Sequence, residues 1–180
     1  MDWIFFAFFV IFILIELLLL KEFIKRKNKI AIKAAISSIV FLALIYIASY
    51  FYNFVVPDAA YIIVIISLFL HSYFGYYRKL YYNSKKYDRV QHVIASFSFA
   101  IFFYFFLSNI FEYGDSRAFR AFYILLLGVF YGMLCEIIEF ISDLNNKEKM
   151  QRGLRDTDFD MVSDLIGSLS AAFFSYFIFL

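Results

Sequence analysis

The chain has one cysteine, one proline and only six glycines in 180 residues. Cys135 can close no disulfide within the chain and has no second thiol for a thiolate metal site. It reads as a small apolar residue. Pro57, followed by Asp58, marks a single turn. Charge is scarce as well, at 18% of residues, where soluble domains carry about 25%. No Gly-rich phosphate loop, no Gly-x-Ser-x-Gly elbow and no His-Glu-x-x-His pair occurs. The Asp-Gly-x-x-Ala-Arg element expected of CDP-alcohol phosphotransferases is absent too. No basic stretch precedes the first apolar run and no small-residue cleavage site follows it, so that run is expected to stay as a membrane helix. No internal repeat or linker stands out.

What is present is apolar. Hydrophobic residues make up 64% of the chain, with 27 Phe and 15 Tyr, against about 45–50% apolar residues in a soluble domain. Apolar runs of roughly 20 residues recur, long enough to cross a bilayer core. They predict an all-α integral membrane protein, one polytopic domain with spans at about 3–20, 34–56, 59–77, 88–111, 119–141 and 159–180. Most of the tyrosines are expected as interfacial anchors.

The net charge of +2 says less than its distribution. Of the 17 Lys and Arg, all but Arg117 and Arg120 fall in the loops after spans one, three and five. By the positive-inside rule those loops face the cytoplasm and both termini face outward. The same residues read as topology signals rather than as a nucleic-acid surface. The last three spans carry small residues that let membrane helices approach closely. These are Ala95, Ser96 and Ala100; Gly128 and Gly132; and Gly167, Ser168, Ala171, Ala172 and Ser175. They are expected to form an inner bundle, with the bulkier first three spans packed around it.

Polar residues bunch at the cytoplasmic ends of these three spans. Asp88 and His92 open the fourth, Glu136, Glu139 and Asp143 close the fifth, and Asp160 and Asp164 open the sixth. Spacings of three, four and seven put each set on one helical face. In span five that face continues the Gly128–Gly132 series. In span six it is the small-residue stripe. The three sets should therefore converge.

Each set also has a plain reading. Asp88 suits an N-cap, with Gln91 completing a capping box. Asp156, Thr157 and Asp158 suit a helix start, where the dipole favours acids. Glu136, Glu139 and Asp143 have no such excuse, because the dipole disfavours carboxylates at a helix C-terminus. An acid at mid-membrane costs roughly 2.5–3.5 kcal/mol on insertion scales, less near the interface. A metal ion, His92, Arg89 or Arg155 could offset that cost. One imidazole with several carboxylates suits Mn, Zn, Fe or Mg rather than copper. His92, Glu136, Glu139, Asp160 and Asp164 are the candidate ligands, and Arg89 and Arg155 the candidates for a phosphate head group. His71 reads as a hydrogen-bonded structural histidine, and Glu16 as an acid near the end of span one paired with a nearby lysine.

Three elements then carry a resemblance: Tyr87-Asp88-Arg89-x-x-His92 opening one span, Glu136-x-x-Glu139 closing the next, and Asp156-Thr157-x-x-Asp160-Met161 with Gly167 beyond. From Tyr87 to the C-terminus the chain resembles the YjdF-like bacterial membrane proteins. These in turn are similar to the VanZ-like group, named for a protein linked to teicoplanin resistance. The VanZ-like pattern has Asn where Asp164 stands. The resemblance implies a small polytopic protein of the bacterial cytoplasmic membrane, and no reaction.

The leading expectation is a divalent-metal site at the cytoplasmic interface acting on a lipid or lipid-linked envelope intermediate. A proton- or cation-coupled transporter, using the same acids as a relay, and a non-catalytic resistance or assembly accessory protein are the alternatives.

Overall fold

The computed structural model describes residues 3–114, 116–145 and 149–178. Among these there is no strand, and six helices are long and apolar enough to cross a membrane. They are α1 (Trp3–Lys25), α2 (Lys29–Tyr52), α3 (Asp58–Phe69, running on as a π-helical segment Leu70–Tyr77), α5 (Lys85–Leu107), α6 (Arg117–Asn145) and α7 (Leu154–Ile178), with a single turn, α4 (Leu80–Asn83), before α5. The all-helical, six-span expectation is met.

The helix ends differ from the apolar runs. Pro57 does not stop α2. The helix ends at Tyr52, where Asn53 turns into the left-handed region (φ 52°) and the Phe54 N–H bonds back to the Ser49 carbonyl at 3.1 Å. Lys27 (φ 55°) closes α1 in the same way, with Asn28 N–H on the Phe23 carbonyl. Both are left-handed helix stops, a device that Asn tolerates better than most residues. Asn28 then caps α2 by accepting the Ala31 N–H at 3.1 Å. The helices also overrun the apolar stretches into charged residues, which are good helix formers. Phe179 and Leu180, at the end of the expected last span, lie outside the described residues.

The chain divides into two compact units, residues up to Tyr87 and residues from Asp88. In the first, α1 packs on α2 and α3 through a face at helical spacing: Phe5, Phe12, Glu16, Leu19 and Phe23. Phe5 stacks on Tyr61 with centroids 3.8 Å apart, and Phe23 meets Tyr76 edge-on. His71 Nδ1 shares a hydrogen bond with the Tyr81 hydroxyl at 2.6 Å, a structural histidine as read from the sequence. Glu16 departs from its expected role. It lies within α1, is fully buried, and among the described residues no lysine pairs with it.

In the second unit α6 and α7 are the closest pair, and glycines set the approach. A Cβ at Gly132 would run into the Asp164 carboxyl, one at Gly128 into Ser168 and Ala100, and one at Gly167 into the Val93 backbone carbonyl. Gly167, Ser168, Ala171 and Ser175 are buried on α7, as the stripe required, while Ala172 is half-buried. Large side chains such as Ile138, Phe140, Leu165 and Phe173 point outward, the surface a bilayer would cover.

Candidate metal centre

Three helix ends meet at one end of the second unit: the start of α5, the end of α6 and the start of α7. His92 is about 10 Å along α5, Asp160 about 9 Å along α7, and Glu136 about 13 Å before the end of α6, at 1.5 Å per residue. The close approach of the glycine faces puts these three at one level. One ligand atom from each of His92, Glu136 and Asp160 lies within 4.8 Å of the others. All three residues are buried.

Asp164 takes a different part from the one its spacing suggested. Its two oxygens lie 3.1 and 3.2 Å from His92 Nδ1, and the Ser96 hydroxyl donates to Oδ1. Gly132 leaves the room for this carboxyl. The Asp164 backbone carbonyl accepts the Ser168 hydroxyl at 2.6 Å. With Nδ1 engaged, the imidazole turns Nε2 towards Glu136 Oε1, 3.9 Å away. A carboxylate on one ring nitrogen, orienting the other, is the usual support of a metal-bound histidine.

Two buried oxygens in this group have no hydrogen-bond partner: Glu136 Oε1 and Asp160 Oδ1. Glu136 Oε2, by contrast, accepts Gln151 Nε2 at 2.9 Å. Buried polar atoms are almost always paired, so two adjacent orphans beside an imidazole nitrogen fit a site for a cation. Three ligands also leave room for a water or substrate oxygen, as catalytic ions require.

A second group shares Asp160 with Asp88 and Asp156. Arg152 answers it, pairing with Asp88 and placing Nε 2.9 Å from Asp156 Oδ2. Burial alone would lower the Arg152 pKa. The Asp156 hydrogen bond and the charges of Asp88, Asp156 and Asp160 outweigh it and raise the pKa, so this guanidinium stays cationic. Asp88 is not an N-cap. It sits inside α5, and Ser84 accepts the Tyr87 N–H at the helix start. Asp156 does lie in the first turn of α7, as read.

The remaining candidates are placed as follows. Asp143 organises the loop: its oxygens accept the N–H groups of Met150 at 2.7 Å and Gln151 at 3.0 Å. Glu139, half-buried, lies one turn beyond Glu136 and belongs to neither ligand group. The Arg89 guanidinium lies 4.1 Å over the Phe159 ring, its Nε buried and unpartnered, and the exposed Arg155 lies 5.6 Å from the same ring. Arg152, Ser96 and Gln151 were not singled out from sequence. Arg152 lies in a polar loop among other basic residues that read as topology signals, and a serine or glutamine beside an acid is too common to stand out.

The family described as "Predicted membrane protein (DUF2238)" matches residues 5–180. A protein of Thermotoga maritima, described as uncharacterized, is 33% identical over 118 residues, which is 65% of this chain and 62% of that protein's length. No solved structure matches the chain.

Proposed function

The chain belongs to the DUF2238 family of membrane proteins, and from that premise we propose that it holds a divalent metal ion at the cytoplasmic face of a bacterial inner membrane and acts there on a lipid or lipid-linked envelope intermediate. The observation that carries this reading is the pair of orphaned oxygens, Glu136 Oε1 and Asp160 Oδ1, beside His92 Nε2. The ion is Mn, Zn, Fe or Mg by the chemistry of its donors. His92, Glu136 and Asp160 are its ligands, and Asp164 holds His92 in place. When bound, the ion supplies Lewis-acid polarisation of a phosphoryl or carbonyl oxygen.

The surrounding residues have roles in the same scheme. Arg89 and Arg155 share the Phe159 ring and present two guanidinium groups to a phosphate. Arg152 occupies the acids that a second ion would need. Glu139, outside the ligand group, is the free carboxylate suited to take a proton from a water. Kinship with the VanZ-like group rests on the three short sequence elements alone.

The test is elemental analysis of gently purified protein. Roughly one ion per chain is expected at a site of this kind, with ion content falling in His92→Ala and Asp160→Asn. Absence of any divalent ion, together with no thermal stabilisation by added Mn, Zn, Fe or Mg, would end the metal reading and leave the acids as a packing network. Vesicles containing polyprenyl diphosphate, assayed for released phosphate with and without Arg89→Ala, test the substrate class.

A further inference from the structure

The first unit holds a buried acid that the metal reading does not use. Glu16 is 0% exposed, and neither of its oxygens has a hydrogen-bond partner. It lies near the middle of α1, about 20 Å along the axis from Trp3 and about 13 Å from Lys25. The apolar run ends at Leu20, so the carboxyl lies inside an apolar layer about 30 Å thick, nearer its basic end. Charges at such depth are rare and mark proton or ion sites more often than decoration.

Its surroundings are specific. The Ser72 hydroxyl, also 0% exposed, faces the carboxyl without the geometry of a made hydrogen bond, and has no other partner. Ser72 stands on the π-helical segment Leu70–Tyr77. Such segments interrupt the regular ladder and are frequent at functional sites. The elements packed on α1 offer no countercharge. The buried face of α2 carries no titratable side chain. On α3 the titratable side chains are Tyr61, buried and with its hydroxyl bonded to Ser49 at 2.6 Å, and Asp58 in the first turn. On the π segment Tyr76 is buried, and His71 is held by Tyr81. Among the described residues no Lys, Arg or second carboxylate pairs with Glu16.

A structural acid in an apolar core is expected to have its hydrogen bonds made. This one does not. A hydroxyl opposite it serves either protonation state, because it accepts from the acid O–H and donates to the carboxylate. We propose that Glu16 and Ser72 form a proton-binding site within the membrane-spanning part of the first unit, distinct from the metal centre. The carboxyl takes a proton from water and returns it, and the Ser72 hydroxyl turns from acceptor to donor as it does so.

Infrared difference spectroscopy of the full-length protein in lipid vesicles, titrated with pH in potassium buffer, tests this. The wild-type minus Glu16→Gln difference isolates one carboxyl from the acids of the second unit. The expected result is a protonated-acid carbonyl band that disappears reversibly as pH rises. Ser72→Ala, which leaves the acid in place, should shift that band. An absent band at every pH would overturn the proposal. So would a band that ignores pH, which would make Glu16 a fixed structural acid. A band abolished by sodium at constant pH would replace the proton with a metal cation. If Glu16→Gln does not fold, the pH-dependent band in wild type and its shift in Ser72→Ala decide the matter between them.

Discussion

Glu136→Gln separates a metal ligand from a tolerated acid. The side chain lies inside α6, about 13 Å before its C-terminal end, in an apolar stretch where a charge is costly. It faces Asp160 and, across His92, Asp164. Without a cation, removing the charge relieves repulsion and desolvation, and the variant is as stable as wild type or more so. The Gln151 contact at Oε2 survives in either case, because an amide oxygen accepts as well. With an ion bound, the substitution removes one of three ligands. A site loaded at 100 times its Kd stabilises the fold by about 2.7 kcal/mol, so a hundredfold loss of affinity forfeits most of that.

The assay is thermal unfolding in detergent, with and without chelator, for wild type, Glu136→Gln and Asp158→Asn. Asp158 is exposed just past the first turn of α7 and makes a control. Its loss should cost no more than about 1 kcal/mol, the scale of an exposed dipole interaction. Glu136→Gln should lose clearly more than that in added metal, and chelator should erase most of the difference. A Gln variant that matches or exceeds wild type in the presence of metal refutes the assignment of Glu136.

Asp164→Asn should lower metal affinity about 10–100-fold, the usual effect of removing a histidine's orienting carboxylate, as read by titration against a competing chelator. Asp143→Asn should leave that affinity unchanged while speeding amide hydrogen exchange at Met150 and Gln151, whose N–H groups it holds. Gly167→Ala should cost about 1–3 kcal/mol by overpacking, because the added Cβ meets the Val93 backbone and no flexible side chain can yield; unchanged thermal stability would show that α5 and α7 separate easily. A reporter fused after Leu180 should be active only on the outer side, and cytoplasmic activity there would reverse the orientation and move the metal centre to the other face.

The spans were legible because apolar length is a property of composition, but their ends were not. Pro57 looked like the stop of α2, yet the chain had already turned at Asn53, a residue whose left-handed preference is too weak to overrule a proline on paper. The π segment left no trace, since Leu70–Tyr77 reads like any other amphipathic stretch. In the site, helical spacing pointed to His92, Glu136 and Asp160, whose ligand atoms the structure brings within 4.8 Å of one another. It could not rank carboxylates on one face. Asp160 and Asp164 are one turn apart, and only the contacts of Ser96 and Gly132 decide that Asp164 serves His92. Glu16 was expected to pair with a nearby lysine because Lys21 and Lys25 follow it in sequence, but it belongs to the buried face of α1 with Phe12 and Leu19.

The glycine stripes and the acids are one arrangement. At this end of the second unit two helices begin and one ends, so two positive dipole ends face one negative end. Asp88, Asp156 and Asp160 belong to the helices that begin there. Glu136 belongs to the helix that ends, and gains nothing from its own dipole. It is brought to the others because Gly128 and Gly132 let α6 approach α7 until only Asp164 and Ser168 fit between them. Closer packing makes the repulsion between Glu136 and Asp160 worse. Arg152 is already engaged by Asp88 and Asp156, and His92 is engaged by Asp164 on its other nitrogen. A cation between Glu136 and Asp160 comes either from a bound ion or from a proton on His92, whose Nε2 faces Glu136 Oε1 at 3.9 Å. That is why stability measured with and without metal, rather than the geometry of any one acid, is the decisive quantity.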